Sequence, residues 1–248
     1  MTLRKDTYEN NYRFERSHWW FRGRRRIIDY LGTLFIWKHP QGRKILAIGC
    51  GTGAELEFLS KLGDVTGVDY SQDAVDYCKK NNAINVLQGD ATCLPFQDDT
   101  FDLVVAFDVL EHIKDDKKAV SDIFRVLKPE GYLYVTVPAF QFLWSYNDDI
   151  SHHMRRYTKA SLLKLLKSHP SDLIKVSYFN TILFPLVFVI RKAHMLLGSK
   201  SVNDGDIKET GKVVNTILTN IFALEKYLLR FANLPFGVSL LCILRKKK

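Results

Sequence analysis

The 248-residue sequence predicts an α/β fold built on a doubly wound, mainly parallel sheet. Three observations predict it. Residues 45–53 read Ile-Leu-Ala-Ile-Gly-Cys-Gly-Thr-Gly, an apolar strand running straight into three glycines at alternate positions. The next apolar strand, Val65-Thr-Gly-Val-Asp69, ends in an acid. From there to residue 137, runs of strand length alternate with segments of helical periodicity, the pattern of βαβ units with right-handed crossovers.

Taken in order, residues 1–40 form an N-terminal helical cap. Ile27, Leu31 and Leu34 recur at helical spacing over 8–36, with Arg22, Arg24, Arg25 and Arg26 around them. Ser17-His18-Trp19-Trp20-Phe21 places aromatic rings beside arginines, suited to a cavity wall, a membrane interface or plain packing. Lys38–Gly42 is a turn. The core over 43–138 then reads strand 44–49, helix 53–62, strand 65–69, helix 72–82, strand 85–88, strand 102–107, helix 115–127 and strand 132–137. In such sheets ligands bind beyond the carboxyl ends of the strands, where Gly49, Asp69, Asp90 and Asp108 all fall.

Residues 139–248 follow at that same edge. Residues 139–158 lack periodicity but are rich in aromatic, acidic, histidine and arginine side chains, and are placed over the site as a lid. Helix 158–166, a sixth strand over 173–179, a polar linker over 198–212, helix 213–232 and a last strand over 237–244 complete the chain, so a helical insertion precedes the last strand. The apolar run 181–190 contains Pro185 and is half the length a membrane-spanning helix needs, so a surface-lying or packed element is expected. The whole reads as one domain.

Glycines let a backbone approach a ligand closely, and an acid at the end of the second strand can accept hydrogen bonds from ribose hydroxyls. Gly49, Gly51 and Ala54 also satisfy a loose dinucleotide fingerprint. An NAD enzyme is disfavoured because residues 139–248 show no second nucleotide-binding half. The segments Gly89-Asp90-Ala91-Thr92-Cys93-Leu94-Pro95-Phe96, Phe101–Asp108 followed by Val-Leu-Glu111-His112, and Arg125-Val-Leu-Lys-Pro-Glu-Gly131 before the fifth strand complete a set. In this order and spacing, over 43–138, the set resembles the class I S-adenosylmethionine (SAM) dependent methyltransferases, and most of all the small-molecule and quinone-type O-methyltransferases. The His-Trp-Trp-Phe start and the Arg-Arg-Tyr-Thr segment resemble a bacterial or archaeal subgroup.

That resemblance implies a seven-stranded Rossmann-like sheet whose strands six and seven form an antiparallel edge, with SAM as cofactor. It implies that Gly49, Cys50 and Gly51 lie against the methionine part, Asp69 holds the ribose and Tyr70 flanks the adenine. Asp90 and the Ala91 backbone would read the adenine edge, and Phe107 would contact the amino-acid moiety. One departure is Ala47, where the family usually places an acid for the cofactor's ammonium; weaker binding, compensation by another acid or lost activity are all compatible with it. His112, His152 and His153 are the candidate bases. Trp20, Arg155, Arg156 and Tyr157 are candidate substrate contacts, the arginines suiting a phosphate or carboxylate. No metal site is assigned, although Asp108, Glu111 and His112 could hold a divalent metal as in the resembled quinone enzymes.

Charge is unevenly distributed. Overall, 36 Lys and Arg face 27 Asp and Glu, for a net charge of +9. Residues 51–149 hold 8 bases against 18 acids, whereas residues 1–50 hold 11 against 4 and residues 150–248 hold 17 against 5. Basic flanks around an acidic core suit an anionic surface such as phospholipid, a phosphorylated substrate or nucleic acid. Four scattered cysteines and an N-terminus without a signal-peptide core predict a cytoplasmic protein, with the inner membrane face as a docking surface. The expected acceptor is a lipid-linked, quinone-like or sugar-phosphate small molecule. The alternatives are RNA or protein methylation, for which no recognition module is legible, and a non-catalytic scaffold on the SAM-binding fold at the membrane.

Overall fold

The computed structural model describes residues 5–37, 42–81, 85–196 and 210–248. Its strands are β1 (Lys44–Ile48), β2 (Asp64–Asp69), β3 (Val86–Gln88), β4 (Phe101–Phe107), β5 (Leu127–Pro138), β6 (Ser171–Phe179) and β7 (Ser239–Lys246). They form one seven-stranded sheet in the order β3-β2-β1-β4-β5-β7-β6. The first five strands are parallel, and β7 runs antiparallel between β5 and β6, as the resemblance implied. The order reverses between β1 and β4, which opens a crevice at their carboxyl ends.

The helices are α1 (Lys5–Ser17), α2 (Trp19–Phe35), α3 (Ala54–Leu59), α4 (Gln72–Lys80), α5 (Asp116–Val126), α6 (Tyr146–Ile150), α7 (Lys159–Leu166), α8 (Phe184–Leu196) and α9 (Lys212–Phe231). Alternation along the strands divides the core into two layers. Leu46 and Ile48 of β1 face one layer with Val120, Ile123 and Phe124 of α5 and Leu162 and Leu166 of α7. Ile45 and Ala47 face the other, with Ile27, Ile28 and Leu31 of α2, Val75 of α4 and Phe222 and Leu229 of α9. Short polar side chains start the helices: Ser71 accepts from Ala74 N–H, Asp115 from Lys118 N–H and Thr158 from Ser161 N–H.

The structure departs from expectation at three places. The cap is two helices, broken at His18, whose side chain accepts from Trp20 N–H and starts α2. Residues 128–131, expected to link helix 115–127 to strand 132–137, lie inside β5 as an irregularity, with the pairing register shifting between Phe101 and Leu103 and Glu130 at φ 64°. The last strand starts two residues later than expected, at Ser239, where it pairs with Phe179. The apolar run 181–190 is largely the start of α8. The turn at Lys38–Gly42 and the linker over 198–212 lie outside the described residues, apart from Gly42 and 210–212.

Candidate active site

The glycine loop after β1 is shaped by its backbone. Gly49 has φ 67° and Gly51 has φ 52°, both in the left-handed region that favours glycine. A Cβ on Gly49 would fall 2.6 Å from Cγ2 of Val109, so only glycine lets β1 and the turn after β4 approach this closely. At Gly51 nothing lies nearer than 4.0 Å, so the absent side chain leaves open space. Asp69, at the end of β2, fixes the loop: Gly51 N–H donates to Oδ2 at 2.7 Å, and Ser71 N–H to Oδ1 at 2.9 Å.

Beside this loop lies a cavity of about 640 Å³ lined by Gly49, Asp69, Tyr70, Asp90, Ala91 and Thr92, with Val109, His112 and Met154 across from them. Asp90 turns its own loop by accepting from Thr92 N–H at 2.7 Å. Tyr70 stands 77% exposed at the rim.

A second cavity of about 420 Å³ meets the first at Gly49, Asp108 and His112. Trp19, Trp20 and Phe21 of α2, Phe107 of β4 and Val187 of α8 wall it, with Cys50 at its floor. Glu15, Arg24, Glu55 and Asp108 make it polar on one side. Arg24 is buried beneath the Trp20 ring, 4.8 Å from its centroid. It donates to Asp108 and, at 2.7 Å, to Glu55. Burial alone would lower the Arg24 pKa; the two carboxylates outweigh it and keep the guanidinium charged. Glu55 in turn is held below its usual range by Arg24 and Arg25 in spite of burial, whereas burial pushes Glu15 up. Ala47 faces the apolar layer packed on α2, so no acid comes from β1; Glu15 and Glu55 bring carboxylates to the cavity instead.

The segment after β5 closes the second cavity. Ser145 and Asp148 form a capping box that starts α6. Asp148 is fully buried and gathers donors: Ser145 N–H at 2.8 Å, Arg156 Nε and Nη2 at 2.8 Å each, and His153 Nδ1 at 2.7 Å. Burial opposes its ionisation, but these donors hold its carboxyl far below the ordinary value. His152 adopts φ 55°, and this reversal turns His153 inward while His152 stays exposed. The His153 ring packs edge-on to His112 at 4.6 Å. Burial first, then the neighbouring His153, lowers the His112 pKa to about 4, so it is neutral at pH 7. Glu111 is completely buried, and neither carboxyl oxygen has a hydrogen-bond partner among the described residues. Burial and the nearby Asp108 push its pKa well up. Ligating atoms of Glu111, His112 and His153 all lie within 4.8 Å of one another. Asp108, the third acid-or-histidine position expected for a metal, is engaged by Arg24 instead.

The structure thus brings Gly49, Asp69, Tyr70, Asp90 and Ala91 to one cavity, and Cys50, Gly51, Phe107, Trp20, His153 and Arg156 to the other, with His112 and Gly49 shared. Three expected residues are placed elsewhere. His152 lines neither cavity. Arg155 pairs with Asp116 at 2.7 Å and donates to Lys114 O. Tyr157 is buried, its hydroxyl donating to Asp116 at 2.9 Å and to Leu110 O. Arg156 reaches the cavity but is engaged by Asp148 and the Ala139 carbonyl rather than open to a substrate. Sequence reasoning missed Asp148, Arg24, Glu15 and Glu55 as site residues. Only Asp148 had a local signal, the Ser145-x-x-Asp148 capping pattern five residues before His153.

Comparison with known proteins agrees with this fold. Residues 46–135 match the family described as a methyltransferase domain. The chain is similar to the demethylmenaquinone methyltransferase of Renibacterium salmoninarum, 34% identical over 116 residues that cover 46% of each chain. It is similar also to that of Staphylococcus aureus, 31% identical over 154 residues, covering 56% of this chain and 60% of the relative. The matched segment therefore spans only about half the length of these curated relatives. Among solved structures it resembles the protein seen in complex with the Trm112 methyltransferase activator of Haloferax volcanii, with a TM-score of 0.63, 18% identity and coverage of 98% of this chain and 95% of that one. It also resembles the [4+2]-cyclase SpnF, with a TM-score of 0.59, 19% identity and coverage of 90% and 81%. At such identities these structures speak for the fold alone. Domain match, relatives and sheet topology converge: residues 46–135 match a methyltransferase domain, the sheet has the seven-stranded Rossmann-like methyltransferase order, and the chain is similar to the class I SAM-dependent methyltransferases, quinone-type enzymes among them.

Proposed function

We propose that the protein, acting as one domain, transfers the methyl group of SAM to a hydroxyl of a small, quinone-like acceptor. The observation that carries this reading is the meeting of two cavities at Gly49, Asp108 and His112, one edged by nucleotide-gripping loops and the other by aromatic rings and an oriented histidine. The residues present fit SAM. Gly51 offers bare backbone toward open space, and each Asp69 oxygen that accepts one N–H keeps a lone pair for a ribose hydroxyl. Gly49, Cys50, Gly51 and the Phe107 backbone would face the methionine part. Asp69 would hold the ribose, Tyr70 would flank the adenine, and Asp90 with Ala91 would read its edge. Glu15 and Glu55 are the acids available to offset the neutral Ala47. When bound, SAM supplies an electrophilic methyl carbon on a sulfonium.

The protein's own residues position the acceptor and move its proton. Trp20 and Phe21 press a flat acceptor toward the junction of the cavities and keep water out. His153 donates its Nδ1–H to Asp148, the tautomer this pairing assigns, so Nε2 is left to accept the proton of the acceptor hydroxyl. Asp148 remains ionised and stabilises the imidazolium that results. Arg156 is a positioning residue that holds Asp148. No carboxylate is needed to ligate a metal for this proton transfer. Arg24 and Arg156 are both engaged by carboxylates, which favours a flat ring over a sugar phosphate as acceptor. No helix among the described residues is long and apolar enough to cross a membrane, so a lipid-linked acceptor would be met at the bilayer surface.

The test is calorimetric titration with SAM and separately with NAD, followed by transfer of labelled methyl to a demethylated naphthohydroquinone. Micromolar SAM binding, no NAD binding and a loss of at least tenfold in SAM affinity in Asp69→Ala are expected. A folded protein that ignores SAM, or an Asp69→Ala variant with unchanged affinity, would sink the reading.

A further inference from the structure

The helical insertion carries an apolar face outside the described core. On α9, Ile217, Leu224, Leu228 and Phe231 are 52%, 55%, 51% and 82% exposed. Their spacing puts them on one stripe of a helix of 20 residues, about 30 Å long. The opposite stripe is fully used: Phe222 and Leu229 are buried against the sheet and α2. On α8, Leu186 and Val189 are 52% and 63% exposed. Monomeric proteins seldom leave such stripes without a partner.

The exposed charges on these two helices have one sign, with Asp29 of the neighbouring α2 the acid beside Lys226. α9 contributes Lys212, Lys226 and Arg230, and α8 contributes Lys192, while Arg191 of α8 is turned to the cavity and donates to the Leu143 carbonyl. The single acid of the two helices, Glu225, is buried and accepts from Ile182 N–H at 2.7 Å, so it offers no negative charge at the surface. A second copy docked through this face would set lysines and arginines against their own kind, with no acid from either helix to pair them. An anionic bilayer answers both features: apolar side chains enter the acyl boundary while the cations meet the headgroups.

We propose that α9, with the exposed face of α8, docks the protein on an anionic phospholipid surface. The proposal rests on the methyltransferase reading only in what it adds to it, a route for a lipid-borne acceptor. Both helices adjoin the second cavity: α8 lines it through Val187 and Arg191, and Asn215 of α9 accepts from Trp19 N–H at 2.6 Å and donates to the Ser17 carbonyl. Docking therefore sets the aromatic wall of that cavity beside the lipid.

The experiment is co-sedimentation of the full chain with vesicles of phosphatidylglycerol and phosphatidylcholine, against vesicles of phosphatidylcholine alone, at low salt and at 0.5 M NaCl. The Leu224→Gln/Leu228→Gln and Arg230→Glu variants are run beside it, with circular dichroism and SAM titration as folding controls. The side chains changed are exposed, so folding and SAM binding are expected to be retained. Binding to the anionic vesicles at least tenfold tighter than to the neutral ones is expected, weakened by salt and at least tenfold weaker in the Leu variant. Equal binding to both vesicles, no binding, or full binding by the Leu variant would overturn the proposal. So would a dimer in light scattering that the same Leu substitutions dissociate, since the face would then belong to a second copy. Because SAM titration is read separately, failure of the cofactor reading and failure of the docking surface are distinguishable.

Discussion

Replacing Asp148 with Asn tests stability and chemistry together. The Asp148 side chain is fully buried and the Arg156 side chain is 4% exposed, so their ion pair is screened little by solvent. Breaking a buried pair by neutralising one partner costs about 3–5 kcal/mol, because the other charge is left without compensation. For a domain of this size each kcal/mol is worth about 2–4 °C, so Asp148→Asn should melt on the order of 10 °C below the wild type. The native carboxyl is held far below its ordinary value, so its contribution is present above about pH 4 and fades as pH falls through the native value. The gap between the two proteins should therefore be constant from pH 5 to 8 and narrow only in stronger acid. The same substitution removes the acceptor that fixes the His153 tautomer, and methyl transfer should fall by about 10²–10⁴ with SAM affinity unchanged. The assays are thermal unfolding over a pH series, SAM titration and turnover. A variant within about 1 kcal/mol of the wild type would refute the buried pair. One with full turnover would refute His153 as the base.

Three further outcomes are expected. Gly49→Ala places a Cβ 2.6 Å from Val109 Cγ2 at φ 67°, and should cost about 2–4 kcal/mol and weaken SAM binding in calorimetry. Adding Val109→Ala should recover the steric part but not the backbone strain, and full recovery would contradict the left-handed conformation. His112, with its pKa lowered to about 4, should make the wild type lose up to about 3 kcal/mol as pH falls from about 6.5 through 4. His112→Gln should flatten that limb in pH-dependent unfolding, and an unchanged limb would place the acid sensitivity elsewhere. Zn²⁺ should inhibit turnover by engaging Glu111, His112 and His153, whose ligating atoms lie within 4.8 Å of one another, and EDTA should reverse it. Activity lost on EDTA alone would instead assign a metal to the reaction.

Much of the fold was legible because its signals are local. An apolar strand, a glycine turn and an acid at the end of the next strand are contiguous, and each constrains the backbone within a few residues. Alternating elements then restrict the sheet to a few topologies. The residues that line the first cavity could be numbered for the same reason: Gly49, Asp69 and Asp90 are at strand ends, and strand ends share one edge. Element limits were less legible. Nothing in Lys128-Pro-Glu-Gly131 distinguishes a free turn from an irregularity inside β5, because the difference lies in the pairing with β4.

The second cavity was a tertiary decision. His152 and His153 are chemically identical neighbours, and only the left-handed backbone at His152 sends one inward and leaves the other in solvent. Arg155 and Arg156 diverge in the same way, one to Asp116 and the other to the buried Asp148. Arg24 meets Asp108 across 84 residues of sequence, and Trp19 meets Asn215 across 196. On α9 both stripes are apolar, and packing alone decided that Phe222 went into the core and Phe231 to the surface. The sequence by itself determined which backbone would form the glycine- and acid-bearing edge of the sheet, because that edge is built from short-range conformational preference and strand periodicity. Which charged side chains share the interior, and which apolar face remains outside, depended on the closure of the α1–α2 cap, the lid and the α8–α9 insertion over that edge, since burial and ion pairing arise only when distant segments exclude water from one another.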